Sequence, residues 1–128
     1  MLRNQTTTIM NTTLWILQAL MAITFLYSGV NKSIFSEEKL VARGQTGVEG
    51  LAPPLIRFIG IIEILGSVGL ILPWLLNTVP LLTPIAALGF AIIMIPAAVI
   101  HSRRHEPKNV LTNVVIFTVC IVIAVGRF

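Results

Sequence analysis

The sequence predicts an all-α membrane protein, a four-transmembrane-helix bundle forming a single domain over residues 1–128. Three observations lead there. Hydrophobic residues make up 55% of the chain and charged residues only 11%, against about 25% charged residues in ordinary soluble domains. Four apolar runs each supply about 20 residues, the number that crosses a hydrocarbon core at 1.5 Å rise per residue. None of the runs alternates apolar and polar residues as the strands of a membrane barrel do.

The first span is expected at about residues 12–31. Its leading "MLRNQTTTIMNTT" resembles the start of a signal peptide. The apolar run behind it is longer than a signal core, and "SGVNK" offers no small-x-small cleavage site, so an uncleaved helix is expected. The second span is expected at about residues 55–75. The third, at about residues 84–101, has Thr83 as its cap and Pro84 at its first position. The fourth is expected at about residues 109–126, entered after Pro107 and capped by Asn109.

The connections differ in character. The first holds "SEEKLVARGQTGVEGLAPP", with a short interfacial helix expected around Phe35 to Arg43 and broken by Gly44, Gly47, Gly50 and Pro53–Pro54. The second, "WLLNTVPLLT", is uncharged and suits the bilayer surface, with Trp74 at the interface. The third, "SRRHEPK", is short and basic. Of the nine Lys and Arg residues, Lys32, Lys39, Arg43, Arg57, Arg103, Arg104 and Lys108 lie on or near the side shared by the first and third connections. Arg3 and Arg127 lie on the other. The positive-inside rule then places those two connections in the cytoplasm and both termini outside.

The basic residues follow this topology, so the net charge of +4 gives no reason to expect a nucleic-acid partner. The lone cysteine, Cys120, sits in an apolar run and reads as a small hydrophobe. No metal-ligand spacing is present. His101 and His105 are four residues apart, but Pro107 and the basic loop argue against a continuous helix that would present both to a metal. No nucleophile–base pair or phosphate loop is visible, so the chain carries no catalytic constellation of its own.

Glu63 is the unexpected residue. An acidic side chain at the centre of a membrane helix costs roughly 2.5–3.5 kcal/mol on insertion scales, and intramembrane ionisable groups usually mark function. Gly60, Gly66, Ser67 and Gly69 share its face, so that face should point into the bundle, where small residues let helices approach. On the first helix Gln18, Ala22, Phe25, Gly29 and Lys32 form one stripe. On the third, Ala87, Ala91, Met94, Ala97, Ala98 and His101 do so, with a kink expected at Pro96. On the fourth, Asn109, Asn113, Cys120 and Ala124 line a comparable strip.

Tyr27, Lys32, Arg57, Glu63, His101 and Asn113 all fall toward the same end of the bundle, and the opposite half retains Gln18 and little else. These six are the candidates for handling a ligand or a proton. Gly29, Gly60, Gly66, Gly69 and Pro96 are the candidates for helix packing. Glu63 lies about 12 Å below the membrane boundary, so a contact with Lys32 needs staggered helix ends. Arg57 lies on a different helical face from Glu63 and is not expected to be its direct partner.

The stretches "LYSGVNKS", "RFIGIIEILGSVGLILP", "AAVIHSRRHE" and "NVLTN", in this order and spacing, resemble the DoxX-like family of small four-helix membrane proteins. The resemblance runs from about Leu14 to Phe128. It implies a bacterial or archaeal cell-membrane protein and makes Lys32, Arg57, Glu63 and His101 the motif positions. The family is named for a membrane subunit associated with a thiosulfate:quinone oxidoreductase. By resemblance alone, quinone is therefore the implied cofactor and a subunit or accessory factor of a quinone-linked redox system the implied role. A small proton-coupled transporter component and a non-catalytic assembly or scaffold protein are the alternatives. The expected partners are the lipid bilayer and either another membrane protein or a second copy of the chain.

Overall fold

The computed structural model describes the backbone from residue 2 onward and side chains from residue 7 onward. Arg3, one of the charges counted above, therefore has its side chain outside the described residues. Helix α1 runs Leu2–Ile34, α2 Glu37–Ala42, α3 Pro53–Leu75, α4 Leu82–Arg103 and α5 Pro107–Arg127, with a single 3-10 turn at Thr46–Val48. Four of these, α1, α3, α4 and α5, are long and apolar enough to cross a membrane. No strand occurs among the described residues.

The spans pack as a ring in which α1 touches α3, α3 touches α4, α4 touches α5, and α5 returns to α1. Each contributes one buried stripe at spacings of three and four, the repeat of a helix face. On α1 the stripe is Leu14, Gln18, Met21, Phe25 and Gly29; on α3 it is Ile56, Gly60, Glu63, Ser67 and Leu70. The outward faces are apolar, with Ile23, Phe58, Leu65, Ile92 and Val115 all exposed. In a multi-pass protein these faces meet acyl chains, where exposed hydrocarbon carries no penalty.

The tightest crossing joins α1 to α3. A Cβ added at Gly29 would lie 2.7 Å from the Gly60 carbonyl oxygen, and one added at Gly60 would lie 2.8 Å from the Gly29 carbonyl oxygen. The two backbones touch because neither position has a side chain. Gly66 has a different job. It makes room for the Phe90 ring, which stacks on Phe25 with centroids 3.7 Å apart. Met21, Leu70, Ala87, Cys120 and Ile123 complete this central layer.

The helix starts differ from the sequence expectation. Helix α4 begins a residue before Thr83, with Leu81 in the cap position. The Thr83 hydroxyl instead donates to the Gly69 carbonyl across the helix interface, at 2.9 Å. Helix α5 begins at Pro107 after Glu106, with no side-chain cap from Asn109. Proline supplies the start of α5, because it lacks the N–H that a first turn cannot pair, whereas in α4 Pro84 is the third helical residue and not the first. In the first connection Ser36 caps α2 by accepting the Lys39 N–H. Gly44, at φ 95°, then ends that helix in a left-handed conformation that suits glycine.

The crossing makes a direct prediction. Gly60→Val should destabilise the protein by about 1–3 kcal/mol or more through overpacking, seen as a lower thermal midpoint in detergent. Gly89→Ala, where nothing lies within 4 Å of a new Cβ, should leave the midpoint unchanged or raise it. Equal midpoints for the two variants would show that the α1–α3 crossing is not close-packed.

Candidate functional site

A cavity of about 390 Å³ opens between α1, α3, α4 and α5 at the end of the bundle that carries the first and third connections. Phe25 and Met94, both part of the central layer, form its floor. Ile59, Ile93 and Ile116 give it an apolar wall. Residues of the first connection, among them Gln45, Gly47 and Val48, roof it. Lys32, Glu63, His101 and Asn113 all line it, so four of the six candidate ligand residues come together here.

The Lys32 ammonium donates to Glu63 Oε1 at 2.7 Å. Glu63 is 3% exposed. The contact forms because the Gly29–Gly60 crossing brings the helices together one turn away from each residue. A Cβ on Gly60 would touch the Lys32 Cβ as well as the Gly29 carbonyl. Arg57 holds the other end of the arrangement. Its guanidinium donates to the carbonyl of Lys32, at 2.7 Å, and to that of Phe35. These are carbonyls at the C-terminal end of α1, which lack helical donors. Arg57 is thus a positioning residue: it fixes the backbone that carries Lys32 and does not line the cavity.

Tyr27 stays out of the site. It is 65% exposed on the outer face of α1, one residue from Ser28, which does line the cavity. A shift of one residue turns a side chain by about 100° around a helix. Pro96 lines the cavity within α4, and it leaves the Ile92 carbonyl without its usual helical donor.

Two side-chain atoms at the cavity residues are buried without a protein partner: Glu63 Oε2 and Asn113 Nδ2. One accepts hydrogen bonds and the other donates them. Buried polar atoms in folded proteins nearly always find a partner, and these two are exceptions.

The roof is tied down by a polar clasp that the sequence reading missed. Glu106, just before α5, accepts from the Thr46 hydroxyl at 2.8 Å, meets His101 Nδ1 at 2.9 Å and accepts from Arg104 Nε at 3.2 Å. Arg104 also donates to Glu49 at 2.7 Å. His101 therefore works at the rim: it lines the cavity, packs against Gly47 of the roof and engages Glu106. The His101 bond, reinforced by Thr46, holds the Glu106 carboxyl below its ordinary value. The Glu49 hydrogen bond raises the Arg104 guanidinium above its own.

The opposite end is also more polar than expected. Arg127 is not a free flanking charge but is 7% exposed, folded inward. It donates to Gln18 Oε1 at 2.7 Å and to Asn11 Oδ1 at 2.8 Å, and it lies 4.5 Å from the centre of the Trp74 ring. Gln18 in turn donates to the Leu70 carbonyl at 2.7 Å. The stripe Asn113, Cys120 and Ala124, continued by three residues, reaches Arg127, so helical spacing alone could have placed it inside.

A family model described as the DoxX-like family matches residues 16–123. The chain belongs to that family and is a multi-pass integral membrane protein in contact with the lipid bilayer. No curated protein and no protein of solved structure matches it.

Two outcomes follow from the site. Lys32→Met or Glu63→Met alone leaves one charge buried without its partner and should cost about 3–5 kcal/mol. The double variant should recover much of that loss, measured as unfolding midpoints in a double-mutant cycle. Additive losses would mean the two residues are not coupled. The clasp has a definite pH sign. Because the folded state holds Glu106 below its ordinary value, the clasp contributes stability above the unfolded carboxylate range and loses it as pH falls through the folded value. Amide protection across the roof, corrected for intrinsic exchange, should hold at neutral pH and fall below about pH 4. Glu106→Gln should remove that dependence. Protection that is insensitive to acid in the wild type would contradict the clasp.

Proposed function

From family membership and the geometry of the cavity, we propose that this protein is a ligand-holding membrane subunit or accessory factor of a redox system that uses a lipid-soluble carrier of the quinone class. The observation that carries this reading is the cavity of about 390 Å³, lined by all four spans, with the part-buried Lys32–Glu63 pair in its wall. Binding sites of this kind are mostly apolar with a few placed polar groups. Here Phe25, Ile93, Met94 and Ile116 supply the apolar part of the lining, and Lys32, Glu63, Gln45 and Asn113 supply polar groups.

A bound quinone supplies two-electron, two-proton redox chemistry. The chain's part is to orient the head and limit its contact with water. Arg57 fixes the α1 backbone at Lys32, and Lys32 holds Glu63 by one oxygen. The roof, clasped through Glu106, covers the pocket from the aqueous side. A transporter reading has less support, because the stacked Phe25 and Phe90 rings and the buried side chains around them fill the bundle below the cavity floor. As an accessory subunit the protein docks against another membrane protein or a second copy of itself. The charge asymmetry supports cytoplasmic first and third connections with outward termini.

In lipid nanodiscs, a decyl-substituted benzoquinone should bind the purified protein at one site per chain. Ala97→Trp, which fills the cavity, should weaken binding at least about tenfold, the effect of losing roughly 1.4 kcal/mol. A wild-type protein that binds no quinone, or an Ala97→Trp variant that binds it equally well, would count against the carrier reading. Wild-type silence together with loss of a co-purifying partner in Gly60→Val would favour the scaffold. For sidedness, alkaline phosphatase fused after Phe128 should be active, and an inactive fusion reverses the orientation.

A further inference from the structure

The mouth of the cavity constrains its ligand further, on the reading that a carrier head sits inside. We propose that the cavity opens sideways into the bilayer between α1 and α5, so that the ligand is an amphiphile whose head lies inside and whose apolar tail leaves through a window at Thr24 and Thr112.

The bundle is built as two close pairs, α1 with α3 and α4 with α5, and α5 touches α1 least of the four neighbours in the ring. The pairs are tied together toward the Arg127 end. There an added Cβ on Gly126 would lie 2.7 Å from Leu14 Cδ1, and Arg127 bonds to Gln18 and Asn11 of α1. On the other seam the Thr83 hydroxyl holds α4 to the Gly69 carbonyl of α3. The cavity lies between the pairs toward the opposite end.

A residue that lines a cavity and is itself exposed sits at the mouth. On the α1–α5 side both helices supply one, Thr24 and Thr112. On the α3–α4 side the exposed lining residues, Pro96 and Ile100, come from α4 alone, and α3 supplies the half-buried Ile59 and the buried Glu63. The aqueous side is roofed. Val48 packs with Leu40 and Ile56, Thr46 is tied to Glu106, and among the described residues Gly44 is the one exposed roof residue in the lining.

The window lies at membrane depth. Thr24 is two turns below Lys32, about 12 Å along α1, and Thr112 is about 8 Å along α5 from its start at Pro107. Each hydroxyl donates to its own helix, Thr24 to the Leu20 carbonyl at 2.7 Å and Thr112 to the Lys108 carbonyl at 3.0 Å. Both donors are thus satisfied without water, as groups bordering hydrocarbon must be. The cavity of about 390 Å³ is at the small end of ligand sites, roughly 300–1,000 Å³. It takes a ring head and leaves a long chain outside, where acyl chains receive it.

The test is photolabelling of the purified full chain in nanodiscs. The probe is a decyl-substituted benzoquinone with a diazirine on the first carbons of its tail, competed by the unlabelled compound. Competable adducts are expected on Thr24 or Thr112. Adducts on Pro96 and Ile100, or on Gln45 and Gly47 of the roof, overturn the window. Binding supplies a second readout. Thr24→Trp with Thr112→Trp should weaken the decyl probe about tenfold relative to a methyl-substituted benzoquinone without a tail, and an unchanged ratio contradicts the proposal. A ring-labelled probe separates the two readings. If it marks Met94 competably while the tail probe marks neither threonine, the window fails and the cavity reading stands. If neither probe gives competable adducts on any lining residue, both fail.

Discussion

The rest of the structure is organised around one buried contact, the ion pair between Lys32 and Glu63. Charges are expensive to take out of water, and a buried pair is tolerated only where its geometry is good and its surroundings fixed. The bundle supplies both. Gly29 and Gly60 remove the side chains that would hold α1 and α3 apart. Arg57 pins the carbonyls at the end of α1, so the backbone carrying Lys32 has one position. What remains unsatisfied is the second carboxylate oxygen, and it belongs to a residue in a cavity wall.

The two ends of the bundle solve different problems with similar chemistry. At one end Arg127, Gln18, Asn11 and the two tryptophans Trp15 and Trp74 tie α1, α3 and α5 together in a packed polar knot. At the other, the polar groups surround a space. The Phe25–Phe90 stack separates the two. At the cavity end the roof is held both by an apolar cluster of Leu40, Val48 and Ile56 and by the side-chain bonds through Glu106.

Much of this was legible in the sequence. Apolar run length fixes the spans, because a membrane helix must satisfy its own backbone. The glycines around Glu63 announced an inward face, and the convergence of Lys32, His101 and Asn113 on one end followed from antiparallel connectivity. Tyr27 was misplaced because depth was considered and helical phase was not: it shares the level of Ser28 but points to lipid. Arg127 was misread as a flanking charge, since a terminal Arg ordinarily sits in water and only the continued stripe on α5 argues otherwise. The Glu106 clasp and the roles of Gln45 and Thr46 were not legible. They depend on how an irregular connection folds back over the helix ends, and no periodicity encodes that. The Lys32–Glu63 contact was left conditional on stagger, which the glycine crossing supplies.

On the proposed reading, the cavity with the Lys32–Glu63 pair in its wall is where a ligand sits. Photoaffinity labelling tests it most directly, using a quinone-headed probe with a photoreactive group on the ring, competed by unlabelled decyl-hydroquinone. Competable adducts are expected on cavity residues such as Met94, Ala97 and Ile116, lost when Ala97→Trp fills the space. Adducts confined to the lipid-facing residues, such as Ile92 and Val115, and unaffected by competitor would contradict it.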